Sequence, residues 1–189
     1  MTATALDPRT ALVAIDLQKG IAGYPTVHPF AGVVANTVRL AEAFRRRQLP
    51  VVLVNVALSP DGGDALRTRT EVRFSGTRPP EFSELVPELG AHPGDLRITK
   101  RQPSAFFGTE LDLQLRRRQI TGIVLTGVST SIGVEATARA AHERGYNVAF
   151  ASDAVTDVEP SLHEIVMAKI FPRFGEVDTT DALLALLGR

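Results

Sequence analysis

Short apolar runs rich in Val, Ile and Leu recur along the chain and alternate with segments of helical period. A run that is apolar at every position is typical of a parallel strand covered by helices on both faces. Strands that alternate with helices form layers, because each crossover returns the chain to the same edge of the sheet. The pattern predicts a three-layer α/β/α, Rossmann-like fold with a mostly parallel sheet of five to six strands. We expect strands at 11–15, 51–56, 95–100, 122–126 and 147–151, with a marginal sixth at 175–177.

No internal repeat, low-complexity tract or linker interrupts this alternation. Because 189 residues is the size of one domain, we expect a single domain spanning residues 1–189. Residues 57–80 form the longest connection, and a connection of this length is usually a lid or a subunit contact. The helical segments are expected at about 31–47, 109–119 and 160–170, at 181–187, and in a segment that ends near Gly145.

Charge and composition argue against several classes of protein. The 21 basic and 21 acidic residues cancel, so the chain has no electrostatic footprint for nucleic acid or an anionic membrane. The arginine runs at 45–47 and 116–118 lie near the ends of predicted helices, where cations complement the helix dipole. No apolar run approaches the ~20 residues of a membrane span, and the first residues do not resemble a secretory signal. We therefore expect a cytoplasmic protein.

Residues 122–138 run from an apolar strand through a turn of small residues into an Ala-rich segment. The turn at 127–133 would place backbone N–H groups and three hydroxyls at a helix N-terminus, where a negative charge is stabilised. Ser129 and Ser131 invite comparison with a serine nucleophile, but no G-x-S-x-G motif surrounds them. Capping of the helix by one of these two hydroxyls is the simpler interpretation.

Three features of the predicted sheet converge at the carboxyl ends of its strands, where ligands bind in such folds. Asp16 follows the first strand, Lys100 ends the third, and the turn at 127–133 follows the fourth. An acid, an ammonium group and a set of N–H donors are the parts of a proton-transfer site. Each part alone has a plain alternative, since the carboxylate could cap a helix and the lysine could be solvated or paired.

Metal and nucleotide sites find no support in the sequence. The four histidines, at 28, 92, 142 and 163, lack the spacing of metal ligands and are expected at the surface or in loops. The glycines form neither a G-x-G-x-x-G fingerprint nor a P-loop. We therefore expect no metal and no cofactor, and a small-molecule substrate as the partner.

Four stretches of the sequence, in matching order and spacing, resemble the isochorismatase-like hydrolase superfamily. They are residues 11–18 (ALVAIDLQ), Lys100, residues 104–111 (SAFFGTEL) and residues 125–138 (LTGVSTSIGVEATA), and the resemblance covers nearly the whole chain. In its cysteine-hydrolase members, such as nicotinamidases, an Asp-Lys-Cys triad attacks an amide. The resemblance implies Asp16 and Lys100 as the first two members and places Gly133 at the nucleophile position.

Glycine removes the thiolate on which covalent amide hydrolysis depends, and the chain contains no cysteine. The metal motif of nicotinamidases is also absent, since residues 55–63 are NVALSPDGG. The resemblance then favours the isochorismatase branch, in which cleavage of a vinyl ether needs a proton and no thiol. It implies Asp16 as the general acid and Lys100 as the group that steers the carboxylate of a small substrate. Because Lys100 should lower the pKa of Asp16, burial would have to offset that effect.

The resemblance also implies a substrate-binding turn, a cis peptide between Val128 and Ser129, and a homodimer or higher homo-oligomer. Phe106 and its neighbour Phe107 suit a lid, an interface or the core equally. Two other functions stay open: a non-catalytic ligand-binding relative, and an amidase in which Asp16 activates water as a base. The presence of both Asp16 and Lys100 favours an enzyme. The side chains expected around the substrate are Gln18, Phe106, Val128, Ser129, Thr130 and Ser131.

Overall fold

One sheet of six parallel strands organises the residues that the computed structural model describes, which are 2–71, 78–90 and 92–188. The strands are β1 (Thr10–Ile15), β2 (Val51–Val56), β3 (Leu96–Lys100), β4 (Gly122–Val128), β5 (Asn147–Thr156) and β6 (Glu176–Asp178). They pair in parallel in the order β3-β2-β1-β4-β5-β6. The predicted α/β fold with a parallel sheet is confirmed.

Helices cover both faces of this sheet. They are α1 (Lys19–Ala22), α2 (Phe30–Arg46), α3 (Leu111–Arg117), α4 (Glu135–Glu143), α5 (Pro160–Ile165) and α6 (Thr180–Leu187). Successive residues of a strand point to opposite faces. Val13 of β1 therefore joins the core beneath α3 and α4, whereas Leu12 joins the core beneath α2 and α6. Because each face of the sheet packs against its own core, every residue of the central strands β1 and β4 is buried and nearly all are apolar.

Two elements differ from their predicted bounds by more than two residues. β5 does not end at residue 151 but continues to Thr156, and its pairing with β4 shifts register between Leu125 and Gly127. The polar residues Ser152 and Asp153, beyond the predicted end of the strand, both lie within β5. The helix predicted at about 160–170 is α5 followed by a π-helical turn, Val166–Ile170. The residue that follows β5 is therefore Asp157.

The order of the strands creates a switch point between β1 and β4. From β1 the chain proceeds to β2 and β3 on one side of the sheet, and from β4 it proceeds to β5 and β6 on the other. Ligands of such sheets bind beyond the carboxyl ends of the strands at this point. Within the described ranges, no helix is both long and apolar enough to cross a membrane. The predicted lid or subunit contact at 57–80 includes residues 72–77, which lie outside the described residues.

Candidate active site

Asp16 and Lys100 form a buried ion pair at the carboxyl edge of the sheet. Asp16 follows β1 and Lys100 ends β3, so β2 lies between the two strands. Neighbouring strands are about 4.8 Å apart, and the long lysine side chain spans the distance across β2. Lys100 Nζ lies 2.8 Å from Asp16 Oδ2, and only 3% of Lys100 and 5% of Asp16 is exposed. The structure thus brings together two of the predicted site residues.

The other oxygen of Asp16 is left without a partner. Asp16 Oδ1 is buried and accepts no hydrogen bond from any described residue. The backbone of Asp16 has a φ of 52°, in the left-handed region that few residues other than glycine adopt. Such a conformation costs about 1–3 kcal/mol and is concentrated at functional sites. One oxygen of this carboxyl is therefore fixed by Lys100, and the other is free to meet a substrate.

Burial controls the protonation of Asp16. It raises the pKa of this carboxyl to about 6, because an ionised carboxylate is costly to bury. The charge of Lys100 and its hydrogen bond act in the opposite direction but are outweighed. The sequence predicted that Lys100 would lower the pKa of Asp16 unless burial offset its effect. In the structure the effect of burial is the larger of the two. Asp16 is a carboxyl group that can both donate and accept a proton near neutral pH.

Gly133 lies against the carboxyl group of Asp16. A Cβ atom at residue 133 would be 3.4 Å from Asp16 Oδ2, 3.2 Å from Val128 O and 3.1 Å from Ile15 Cγ2. A side chain at this position would therefore begin in van der Waals contact with the carboxyl group of Asp16. The backbones are close here because Gly127 carries no side chain: its Cβ would lie 1.9 Å from Ile15 O.

The three hydroxyls of the turn between β4 and α4 point in different directions. Thr130 Oγ1 lies 2.9 Å from His163 Nδ1, and Ser131 Oγ donates to Asp157 Oδ2 at 2.7 Å. The hydroxyl of Ser129 makes no hydrogen bond to a described residue. None of the three caps the helical segment, so the predicted capping by Ser129 or Ser131 is wrong. The predicted cis peptide between Val128 and Ser129 is present.

Asp157 already binds one N–H donor of this turn, that of Ser131. Its Oδ2 accepts the Ser131 N–H at 2.7 Å as well as the Ser131 hydroxyl. Its Oδ1 accepts the N–H groups of Val158 and Glu159, and only 2% of the residue is exposed. The negative charge that the sequence led us to expect from a substrate at Ser131 is supplied by the protein. Of the three hydroxyls, only that of Ser129 has no hydrogen-bond partner among the described residues.

Comparison with known proteins identifies the family. The model of the Isochorismatase domain matches residues 10–182. The chain belongs to the isochorismatase family. It is 46% identical over 179 residues to the uncharacterized isochorismatase family protein YwoC of Bacillus subtilis, and the match covers 93% of each of the two proteins. An isochorismatase family protein from Burkholderia thailandensis matches over the full length of both chains, with a TM-score of 0.96 and 47% identity. The ureidoacrylate amidohydrolase RutB of Methylobacterium radiotolerans is 31% identical over 214 residues, covering 97% of this chain and 82% of that protein.

In this isochorismatase-family hydrolase, two of the side chains expected around the substrate are engaged elsewhere. Gln18 is fully buried, and its amide donates to Phe82 O and Val56 O and accepts the Val56 N–H. It clamps the segment around Phe82 to the end of β2. Phe106 packs against Tyr146, at the amino end of β5, with its ring centroid 5.9 Å away. The structure does not bring Phe106 to Asp16, and it leaves the adjacent Phe107 exposed.

His163 and Asp157 are functional candidates that the sequence did not reveal. His163 was expected at the surface or in a loop but lies on α5 and is 6% exposed, with its ring 5.0 Å from that of His28. Burial, followed by the proximity of His28, lowers the pKa of His163. Asp157 was missed because β5 was predicted to end too early, although residues 154–156 (AVT) have strand composition. Among the described residues, no group of three His, Asp or Glu side chains is arranged to hold a metal ion.

Proposed function

We propose that this isochorismatase-family protein hydrolyses the vinyl ether of a small carboxylate, of the isochorismate type, without a thiol nucleophile. One observation carries the proposal: the buried Asp16 has an unpartnered Oδ1, a pKa of about 6 and a glycine at the neighbouring nucleophile position. The chain has no cysteine that could replace Gly133. A reaction that begins with a proton is therefore better supported than one that begins with a thiolate.

In the proposed mechanism Asp16 acts as a general acid. The protonated Oδ1 donates to the terminal methylene carbon of the vinyl ether, which becomes a methyl group and leaves an oxocarbenium ion. Water adds to the oxocarbenium carbon and gives up a proton, and the resulting hemiketal breaks its bond to the alcohol oxygen. The products are pyruvate and the free alcohol. The ionised Asp16 then regains a proton from solvent.

Lys100 supports this mechanism in three ways. Its hydrogen bond to Oδ2 leaves Oδ1 as the oxygen that carries the transferable proton. An ammonium group has three N–H donors, so Lys100 has donors left for the carboxylate of the substrate. A fixed cation at this place also stabilises the carboxylate of Asp16 that forms when the proton is transferred.

A second candidate is an amidase in which the ionised Asp16 activates water as a base. The similarity to a ureidoacrylate amidohydrolase favours it, as does a pKa of about 6, which leaves most molecules ionised at pH 7.5. The two candidates need opposite forms of the same carboxyl. An acid loses activity as the pH rises through about 6, whereas a base gains activity over the same interval.

The first experiment supplies isochorismate to the purified protein and measures pyruvate release. We expect turnover by the wild type and a loss of at least about a hundredfold for Asp16→Asn, the loss typical of removing a general acid. Asp95→Asn is the matched control, because Asp95 is also buried and paired with a cation, Arg45, at 2.6 Å but lies at the amino end of β3. No pyruvate from the wild type, or equal rates for wild type and Asp16→Asn, contradicts the proposal.

A further inference from the structure

We propose that Asp157 is a positioning residue that fills the anion position of the turn between β4 and α4 and holds that turn against Asp16. The inference rests on the proposed function, since it assigns Asp157 a part in the same site. The carboxylate of Asp157 would direct the charged group of the substrate away from Ser131 and toward Lys100.

Contacts from three segments meet at Asp157. Oδ2 accepts the N–H and the hydroxyl of Ser131, both at 2.7 Å, and Oδ1 accepts the N–H of Val158 at 2.8 Å. The backbone carbonyl of Asp157 accepts the N–H of Val27 from the loop between α1 and α2. Because β4 and β5 are neighbours, Asp157 at the end of β5 lies beside the turn that ends β4. Removing this carboxylate would release the turn two residues before Gly133.

The charge of Asp157 is balanced by N–H groups rather than by a cation. Across the described ranges, no Lys or Arg nitrogen forms an ion pair with its carboxylate, although the residue is 2% exposed. A buried carboxylate is tolerated when several N–H donors surround it. A second anion at Ser131 would meet the like charge of Asp157, and the Ser131 N–H is already bonded to Asp157. The turn is therefore closed to the carboxylate of a substrate at Ser131, which leaves Lys100 to receive it.

Asp153 offers a matched control because it makes the same contacts at another place. Its Oδ1 accepts both the N–H and the hydroxyl of Thr180 at 2.7 Å, where α6 begins. Asp153 also lies on β5, four residues before Asp157, but it holds a helix on the opposite face of the sheet from α4. Replacing Asp153 should cost comparable stability without moving the turn at Ser131.

The test compares Asp157→Ala with Asp153→Ala, with and without sodium formate. We expect Asp157→Ala to lower kcat/KM for isochorismate by about tenfold to a hundredfold, mainly through kcat, because a displaced turn misplaces the reacting groups. Formate can occupy the emptied anion position and should restore part of kcat. Asp153→Ala should stay within about twofold of the wild type, because sites that share no partners act independently. Equal losses in the two variants, or a loss that formate does not relieve, would overturn the proposal.

A second measurement separates this inference from the proposed function. The pKa of Asp16 can be followed by carboxyl NMR in either variant whether or not isochorismate is a substrate. A loosened turn admits water, so Asp157→Ala should lower the pKa of Asp16 toward its ordinary range and formate should raise it again. An unchanged pKa of Asp16 would overturn the positioning role.

If Asp157→Ala does not fold, the milder variant Ser131→Ala removes one of the hydrogen bonds to Asp157. Its control is Ser161→Ala, because the Ser161 hydroxyl donates to the exposed Glu159. A drop in the pKa of Asp16 for Ser131→Ala alone supports the role, and equal behaviour of the two serine variants overturns it.

Discussion

Lys100 Nζ lies 2.8 Å from Asp16 Oδ2, although the strands that carry these two residues are not neighbours in the sheet. The contact crosses the end of β2 and leaves Asp16 Oδ1 buried without a partner. A pair arranged for stability alone would satisfy both carboxylate oxygens, because an unsatisfied buried oxygen costs about 1–3 kcal/mol. This geometry supports the proposal that Asp16 is a proton donor held in place by Lys100.

The rate of vinyl-ether hydrolysis should fall as the pH rises through about 6. Burial raises the pKa of Asp16 to about 6, and only the protonated form can donate. Above this pKa each further pH unit should lower kcat/KM about tenfold. A pH profile of pyruvate release, measured from about one unit below that pKa to about two units above it, shows whether the rate falls or rises with pH. A rate that rises over this interval would instead identify Asp16 as a base.

Lys100→Met should move the falling limb of this profile to higher pH. The charge of Lys100 lowers the pKa of Asp16, so removing it leaves burial unopposed. An adjacent opposite charge typically shifts a carboxyl pKa by about 1–3 units, and we expect a displacement of at least about one. The matched control is Arg45→Met, which breaks the partly buried ion pair Arg45–Asp95 and should leave the profile in place. A limb that stays still, or moves to lower pH, in Lys100→Met would contradict the assignment.

Gly133→Ala should weaken catalysis more than it weakens the fold. The added Cβ would lie 3.1 Å from Ile15 Cγ2, 3.2 Å from Val128 O and 3.4 Å from Asp16 Oδ2, so neighbouring atoms must shift by a few tenths of an ångström. Such a shift at the acid should lower kcat/KM by about tenfold. Gly32→Ala is the control, because a Cβ there meets nothing within 4 Å. Unchanged kinetics for Gly133→Ala would show that the space beside Asp16 is not used in the reaction.

The sequence predicted the sheet and the ion pair because both depend on regular patterns. Apolar runs marked the strands, and the parallel arrangement then placed Asp16 and Lys100 at one edge. The sequence could not predict where the hydroxyls of the turn at 127–133 would point. The hydrogen-bond partners of Thr130 and Ser131 lie about 30 residues away along the chain, beyond β5. Ser152 and Asp153 are polar because they lie where the register of β5 against β4 shifts, and pairing with β4 resumes at Val155 and Thr156. Because β5 ends at Thr156 and not at residue 151, Asp157 was not recognised as a residue at the carboxyl end of a strand.

The buried His163 should make the protein less stable at acidic pH. Burial and the neighbouring His28 lower the pKa of His163 from its usual 6.5, whereas Asp157 and Glu164 act more weakly in the opposite direction. Between the lowered pKa and 6.5 the unfolded chain binds a proton that the folded chain does not, so the free energy of unfolding falls as the pH falls.

His163→Gln has no titrating ring and retains a group that can bond to Thr130, so its stability should decline less than that of the wild type on acidification. Denaturant unfolding at several pH values measures the difference in the free energy of unfolding between the wild type and His163→Gln. Asp16 contributes in the opposite direction, but equally in both proteins, so its contribution cancels in this difference. The exposed His142 provides the control: if His142→Gln and His163→Gln change the pH dependence equally, the burial of His163 is not its cause.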